Sequence, residues 1–336
     1  MASGITRIDD RTFSGCENLK SISLPGTLQS IGVRAFGDTA ITSIKLPYGL
    51  KEIGAYAFYN SKLTSLDVPD TVTKVDEYAF SYCYDLASLS IPGSMKVLPE
   101  SLVEADRKLK KVTFGNGVKE IGRATFRSCG LTNISFPESV TVIGEKAFSS
   151  CPYLWKVTLP KKLTDIGVGA FDSCRKLNTI TIPASVKRIQ RLAFYDCTSM
   201  KKITLLNSKT VIEDKAMGYN FNGEKNKTLV IAGKKGSTAQ TYAKKNGFRF
   251  LSSTAAVKTV KMTGVPKTKT ILRGKTYTIQ AVTVPYYSDE KITFKSSEPK
   301  IATVNSLGVV KGIRKGTAVI TVQSGAKKLN CKITVK

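Results

Sequence analysis

The sequence predicts a mainly β protein, a repeat solenoid with a parallel sheet followed by a small β-sandwich. Three observations carry this. One phrase recurs ten times between Phe13 and Met217, at its fullest Ile166-Gly167-x-x-Ala170-Phe171-x-x-Cys174-x-x-Leu177-x-x-Ile180-x-Ile182-Pro183-x-x-Val186. Within each copy, apolar residues alternate over a short β-prone run. Beyond Val257 the period vanishes while strand and turn signals continue.

The anchoring position falls at Phe13, Phe36, Phe58, Phe80, Leu102, Phe126, Phe148, Phe171, Phe194 and Met217, in steps of 23, 22, 22, 22, 24, 22, 23, 23 and 23. A fixed period in the low twenties means coils that bury their apolar side only against their neighbours. The strand runs include Leu19-x-x-Ile22-x-Leu24, Leu131-x-x-Ile134-x-Phe136, Leu154-x-x-Val157-x-Leu159 and Leu177-x-x-Ile180-x-Ile182. Pro25, Pro47, Pro69, Pro92, Pro137, Pro160 and Pro183 stop them, since proline lacks the N–H that a continuing ladder needs. Ile5-Thr6-Arg7-Ile8 reads as the tail of a preceding copy, so more repeats or a leader are expected upstream. Met1-Ala2-Ser3-Gly4 is too short and polar for a secretory signal.

The stack is expected to end on a strand at Leu229-Val230-Ile231 and a short amphipathic helix. Ser237 reads as its N-cap and Ala239, Tyr242 and Ala243 as its apolar face. Lys244 and Lys245 suit its C-terminus, and Gly247 ends it. Ser252-Ser253-Thr254-Ala255-Ala256 reads as a linker, which sets domain limits of 1–252 and 257–336. In the second domain the expected strands are Tyr277–Val284, Ile292–Lys295, Gly316–Val322 and Leu329–Val335, the last with Leu329, Cys331, Ile333 and Val335 on one face. Leu307-Gly308 and Lys315-Gly316 supply turns.

The repeat phrase and the Gly236-Ser237-Thr238-Ala239 … Tyr242-Ala243-Lys244-Lys245-Asn246-Gly247 ending resemble the BspA-type leucine-rich repeats of bacterial surface proteins, over roughly residues 5–251. The segment Phe294-Lys295-Ser296-Ser297-Glu298-Pro299-Lys300-Ile301-Ala302-Thr303-Val304 resembles a bacterial immunoglobulin-like domain of the group 2 type. So do Gly308-Val309-Val310-Lys311-Gly312-Ile313 and Gly316-Thr317-Ala318-Val319-Ile320-Thr321-Val322. Phe294 stands where that family commonly has Trp, a change expected to alter packing and not the fold. The resemblance implies a leucine-rich-repeat solenoid joined to an immunoglobulin-like sandwich, in a secreted or cell-surface bacterial protein. It also implies adhesion: recognition of a host extracellular-matrix protein or glycan. Fold alone does not decide function.

Charge is uneven along the chain. Residues 1–100 carry 9 Lys+Arg against 11 Asp+Glu, residues 101–250 carry 27 against 11, and residues 251–336 carry 16 against 3. The net charges are therefore −2, +16 and +13. A solvated lysine surface is the plainer reading of this gradient, and an anionic wall polymer the alternative partner. Of 52 basic residues only 12 are Arg, which speaks against sequence-specific nucleic-acid binding.

With no histidine, Ser-His-Asp and Cys-His catalysis and His-ligated metals are excluded. Cys16, Cys83, Cys129, Cys151, Cys174 and Cys197 each follow an anchoring Phe by three residues, where Thr39 and Ser61 stand in other coils. That slot reads as small and buried, a ladder of free thiols. Disulfides between neighbouring coils remain the alternative. Cys331 reads as a core residue of the second domain. Asp9-Asp10 and Asp76-Glu77 read as solvated loops and Gly115-Asn116-Gly117 as a turn. Neither an enzyme nor a cofactor is expected. No apolar run is long enough to span a bilayer, and a monomer is expected.

Three surfaces are candidates for a ligand. The outward sheet column carries Ser21/Ser23, Ser43/Lys45, Ser65/Asp67, Ser88/Ser90, Lys111/Thr113, Asn133/Ser135, Lys156/Thr158, Thr179/Thr181 and Lys202/Thr204, with Lys111, Lys156 and Lys202 as possible contacts. This face lacks the aromatics a glycan platform uses. Tyr56, Tyr59, Tyr78, Tyr82 and Tyr84 gather around Phe58 and Phe80, with Tyr48 nearby in sequence. Tyrosine is enriched at binding hot spots, though such pairs also serve plain packing. Trp155, the one tryptophan, is expected to be exposed beside basic neighbours or to fill a gap at the strand entry.

Overall fold

A computed structural model describes residues 4–252 and 256–336; the first three residues and residues 253–255 of the expected linker lie outside the described residues. The chain divides into two compact units, Met1–Thr254 and Ala255–Lys336.

The first unit is a parallel solenoid. On one side Ser65–Asp67, Ser88–Ile91 and Lys111–Phe114 pair in parallel, as do Asn133–Ser135 with Lys156–Thr158. Thr179–Ile182, Lys202–Leu205, Val230–Ala232 and Arg249–Leu251 form a further parallel sheet. Within these strands Leu66, Leu89, Ile134 and Ile180 point inward, and Ser65 and Asp67 outward. In the first two coils the expected strands at 19–24 and 41–46 do not form: Ile41 and Leu46 are buried and Ser43 and Lys45 exposed, yet no ladder pairs these segments. Single backbone hydrogen bonds, Thr42 N to Lys20 O at 3.3 Å and Thr64 N to Thr42 O at 3.0 Å, link them to their neighbours.

Each coil also carries a second strand of two residues that alternation is too short to reveal. Arg7–Ile8, Ser30–Ile31, Glu52–Ile53 and Lys74–Val75 form one ladder. Val97–Leu98, Glu120–Ile121, Val142–Ile143, Asp165–Ile166, Arg188–Ile189 and Val211–Ile212 form another.

The anchors form the third edge. The N–H groups of Phe13, Phe36, Phe58, Phe126, Phe148, Phe171 and Phe194 each donate to the residue before the next anchor, as in Phe36 N to Ala57 O at 2.8 Å. Their rings stack at 5.2–5.4 Å in the pairs Phe13–Phe36, Phe36–Phe58, Phe126–Phe148, Phe148–Phe171 and Phe171–Phe194. One anchor is corrected. In the fifth coil Val103, not Leu102, donates forward, to Thr125 O at 3.0 Å, while Leu102 O accepts from Phe80 N. Leu102 thus fills the alanine position and Val103 the anchor. Both are apolar and fully buried, which is why spacing alone confuses them.

The helix runs Thr238–Asn246, with the Ser237 hydroxyl accepting from Gln240 N, Lys244 and Lys245 in its last turn, and Gly247 left-handed at φ 71°. Ala239, Tyr242 and Ala243 are its buried face. The Tyr242 hydroxyl donates to Met217 O at 2.9 Å, fastening the helix to the tenth anchor.

The second unit is an immunoglobulin-like arrangement of strands. Thr268–Ile271, Lys327–Val335, Gly316–Ser324 and Ile292–Ser296 form one sheet; Thr276–Thr278, Val309–Gly312 and Ala302–Val304 form the other. Met262, Ile279, Val310, Ile320, Val322, Cys331, Ile333 and Val335 make the core, and the Phe294 ring packs against it. The expected strand at 277–284 is two strands, because Thr276–Thr278 pairs with the second sheet while Val282–Val284 pairs with Lys261–Thr263. Leu329 departs from the expected inward face. It lies toward the hairpin tip and is exposed.

Candidate functional site

The tyrosines sit on the anchor turns. Two residues before every anchor, and two after every anchor but Met217, the backbone is left-handed; Arg34, Tyr56 and Tyr78 occupy the first row and Asp38, Asn60 and Tyr82 the second. That geometry turns their side chains out of the coil, and one coil's ring lands on the next. Tyr56 and Tyr78 stack at 4.9 Å with planes 4° apart, and Tyr56 meets Tyr59 edge-on at 5.5 Å. Tyr59 lies 5.1 Å from Tyr82, which meets Tyr84 edge-on at 6.0 Å. The five rings therefore form one connected surface. Tyr48 is exposed in a different turn and makes no ring contact with them among the described residues.

Three further residues, not singled out from sequence, complete it. The Arg34 guanidinium lies 5.6 Å over the Tyr59 ring and pairs with Asp38 at 3.0 Å. The Asn60 amide donates to the other Asp38 oxygen at 2.9 Å. Partial burial works to raise the Asp38 pKa, but these hydrogen bonds and the guanidinium charge outweigh it and hold the carboxyl below its usual range. Burial first, and then the neighbouring phenol (Tyr78 for Tyr56, Tyr82 for Tyr59), pushes the hydroxyls of Tyr56 and Tyr59 up, so they stay neutral donors. The signal for Arg34 and Asp38 was available: they flank Phe36 as Tyr56 and Asn60 flank Phe58.

The lysines do not join this site. Lys111 and Lys156 are exposed on the sheet side, on strands separated by an intervening coil that carries Asn133. Lys202 corrects the expectation of a solvated face: it is 2% exposed. The outward column turns apolar at this end, where Val230 and Ala232 stand in register with Lys202 and Thr204 and all four are buried. Trp155 is half-buried, between the exposed placement and the gap-filling one expected for it.

The six cysteines of the slot are all free, and five of them are buried. Cys83, Cys151, Cys174 and Cys197 donate to the anchor carbonyls of Phe58, Phe126, Phe148 and Phe171 at 3.1–3.2 Å, and Cys129 to Val103 O at 2.9 Å. Cys16 departs from the buried pattern, because the first coil has a stacked neighbour on one side only. Burial pushes the five buried thiols up, Cys151 to about 12, so they remain protonated donors. A shallow depression of about 350 Å³ is lined by Arg175, Asp196, Thr198, Asn220 and Phe221, but its buried carboxyl is satisfied by Arg175 at 2.7 Å and Phe221 N at 3.1 Å. Among the described residues no group of three or more His, Cys, Asp or Glu is placed to hold a metal ion, and no helix is long and apolar enough to cross a membrane.

Comparison with known proteins finds the BspA type Leucine rich repeat region in six copies over residues 6–132 and 119–228, and a Bacterial Ig-like domain at 290–336. A curated Ig-like virion protein of Serratia phage KSP90 is 42% identical over 92 residues, 25% of this chain and 35% of that protein. The kappa-carrageenase of Pseudoalteromonas carrageenovora is 38% identical over 68 residues, 20% of this chain and 17% of the enzyme. The chain thus matches about a third and about a sixth of those relatives. Among solved structures, a leucine-rich repeat protein of Bacteroides ovatus aligns over 75% of this chain and 82% of its own at 24% identity, with a TM-score of 0.37. A leucine rich cell surface protein of Faecalibacterium prausnitzii aligns over 71% and 85% at 23% identity, with a TM-score of 0.42.

Proposed function

Because the chain belongs to the BspA-type leucine rich repeat family, we propose that it is a secreted or cell-surface bacterial protein that mediates adhesion through its solenoid, by binding a host extracellular-matrix protein. Leucine-rich-repeat and Ig-like families are typically non-catalytic binding modules, and this protein is read as one of them, without a cofactor. The connected surface of Tyr56, Tyr59, Tyr78, Tyr82 and Tyr84 supports the reading most. Preassembled rings offer contact area at low entropic cost, and neutral hydroxyls add hydrogen bonds. The same geometry favours a protein over a glycan. Sugars stack on open ring faces, whereas Tyr56 and Tyr78 cover one another and Arg34 covers Tyr59.

A second reading, a wall or matrix component that binds polyanions by charge, is favoured by the +16 and +13 of the middle and C-terminal segments. In either case the immunoglobulin-like unit acts mainly as a spacer. Binding to immobilised matrix proteins and to a sulfated polysaccharide, at about 0.15 M and about 0.5 M salt, separates the two. Protein binding that survives high salt and drops at least about tenfold in Tyr59→Ala or Tyr82→Ala supports adhesion at this surface. Polysaccharide binding alone, abolished by salt, overturns it.

A further inference from the structure

The fifth coil departs from the repeat at four positions. Val103 carries no ring, so the phenylalanine stack stops at Phe80 and resumes at Phe126. Pro99 stands where Gly54 and Asp76 donate to Ile31 O and Ile53 O at 2.8 and 2.9 Å. Without an N–H it interrupts the two-residue ladder between Lys74–Val75 and Val97–Leu98. Gly115 replaces the strand-ending proline. Counted from Val103, Asp106 fills the thiol slot: Leu109 N donates to its carbonyl at 3.0 Å, as Leu86 N does to that of Cys83 at 2.8 Å.

Asp106 is fully buried, between Cys83 of the fourth coil and Cys129 of the sixth. Neither carboxyl oxygen has a hydrogen-bond partner among the described residues. Burial pushes its pKa well above the usual carboxylate range; the N–H groups of Cys83 and Tyr82 pull the other way without closing a hydrogen bond. The slot asks for a donor, since the thiols on either side donate to anchor carbonyls of the preceding coil. In that register the acceptor for residue 106 is the carbonyl of Phe80. A protonated carboxyl can serve it, whereas a carboxylate would be an unpaired buried charge facing another oxygen.

Among the described residues no ion pair offsets that charge. The titratable groups facing Asp106 from the neighbouring coils are the thiols of Cys83 and Cys129, with Cys151 beyond, all raised by burial and neutral. The nearby charges lie at the surface: exposed Lys62 acts on the Cys83 thiol from the third coil, and three further cations pair between coils. Lys108 meets Asp85 at 2.6 Å, Arg127 meets Glu104 at 3.1 Å, and Arg123 meets Glu100. The tyrosine turns hang directly on this coil: Tyr78 N donates to Glu100 O at 3.2 Å and Tyr82 N to Glu104 O at 2.9 Å.

We propose that Asp106 is a proton-operated latch beneath the tyrosine surface. Protonated, it closes the seam between coils four and six; ionised, it releases the fifth coil and the turns that hold Tyr78, Tyr82 and Tyr84. As regulation of docking this rests on the reading of that surface, but the latch itself needs no ligand. The native pKa lies above the unfolded value, so the native state holds the extra proton. The stabilisation is complete below the unfolded pKa and is lost as pH rises through the native one.

Native-state hydrogen exchange of the intact chain, from about pH 5 to about pH 9 and corrected for intrinsic base catalysis, tests this. Protection of residues 78–109 falls about tenfold per pH unit between the unfolded and the native pKa of Asp106 and levels off above the native one, while that of residues 140–200 stays level throughout. Asp106→Asn removes the charge and Asp106→Cys restores the repeat's own thiol; both flatten the profile, and the second guards against poor folding of the first. A level wild-type profile, or one that persists in both variants, overturns the latch. A chain that binds no matrix protein yet shows the profile overturns the docking reading alone.

Discussion

Replacing Phe148 by Ala tests whether the ring stack is the core that sets the stability of the repeat. The Phe148 ring is fully buried, stacked on Phe126 at 5.2 Å and on Phe171 at 5.4 Å, and met edge-on by Phe136 at 5.6 Å. A buried Phe→Ala change removes transfer energy and leaves a cavity, together about 3–5 kcal/mol. Two stacked partners, each worth roughly 0.5–1.5 kcal/mol beyond area, place Phe148 at the upper end of that range. Phe13 is the internal comparison, because it is half-buried and stacks on Phe36 alone, at 5.3 Å. Phe13→Ala should cost about 1–2 kcal/mol, in proportion to its lesser burial. Guanidinium unfolding followed by far-UV circular dichroism gives both midpoints under one condition. Equal costs for the two variants would refute the nearest-neighbour account, since coils that depend on their neighbours must lose more inside the stack than at its end.

Three further outcomes follow from the packing. A disulfide reagent should label one thiol per native chain quickly, Cys16, and the other six only after unfolding, as counted by mass spectrometry. Gly93→Ala should destabilise by about 1–3 kcal/mol, because a Cβ there would lie 1.9 Å from Asn116 O. Gly26→Ala, with nothing within 4 Å of the added atom, should change the thermal midpoint by a degree or two at most, roughly 0.5 kcal/mol or less.

What could be read from the residues was whatever is decided locally or repeated often. The Ser237 and Gly247 caps act within a few residues and are found in place, and the step between anchors holds at every copy but the fifth. The two-residue strands escaped because two residues carry no alternation. Asp106 escaped for a narrower reason. Leu102 and Val103 are equally apolar, and counting three residues from Leu102 points to Ala105 instead. Only the hydrogen bond from Val103 N to Thr125 O settles the count, and the carboxyl then appears in a thiol position. Lys202 was misplaced because its neighbour, Val230, arrives after the long segment 217–229 that breaks the period. The tyrosine rings could be placed on adjacent coils from spacing, and Arg34 and Asp38 by the same spacing around Phe36, but only the turn geometry shows that the guanidinium lies over Tyr59.

The left-handed turns have a consequence for how such a surface can change. Arg11, Arg34, Asp38, Tyr56, Asn60, Tyr78, Tyr82, Ala124, Lys146, Ser173, Leu192 and Lys215 all adopt positive φ there. A residue with a side chain gives up roughly 1 kcal/mol or more in that conformation whatever its chemistry. The inter-coil hydrogen bonds impose the conformation through the backbone, as in Arg34 N to Ala55 O at 2.8 Å. Aromatic, cationic, anionic and aliphatic side chains are accepted alike, each presented in the same direction at the same spacing. The side chains displayed along this edge can therefore be rewritten one letter at a time, with no accompanying repair of the interior.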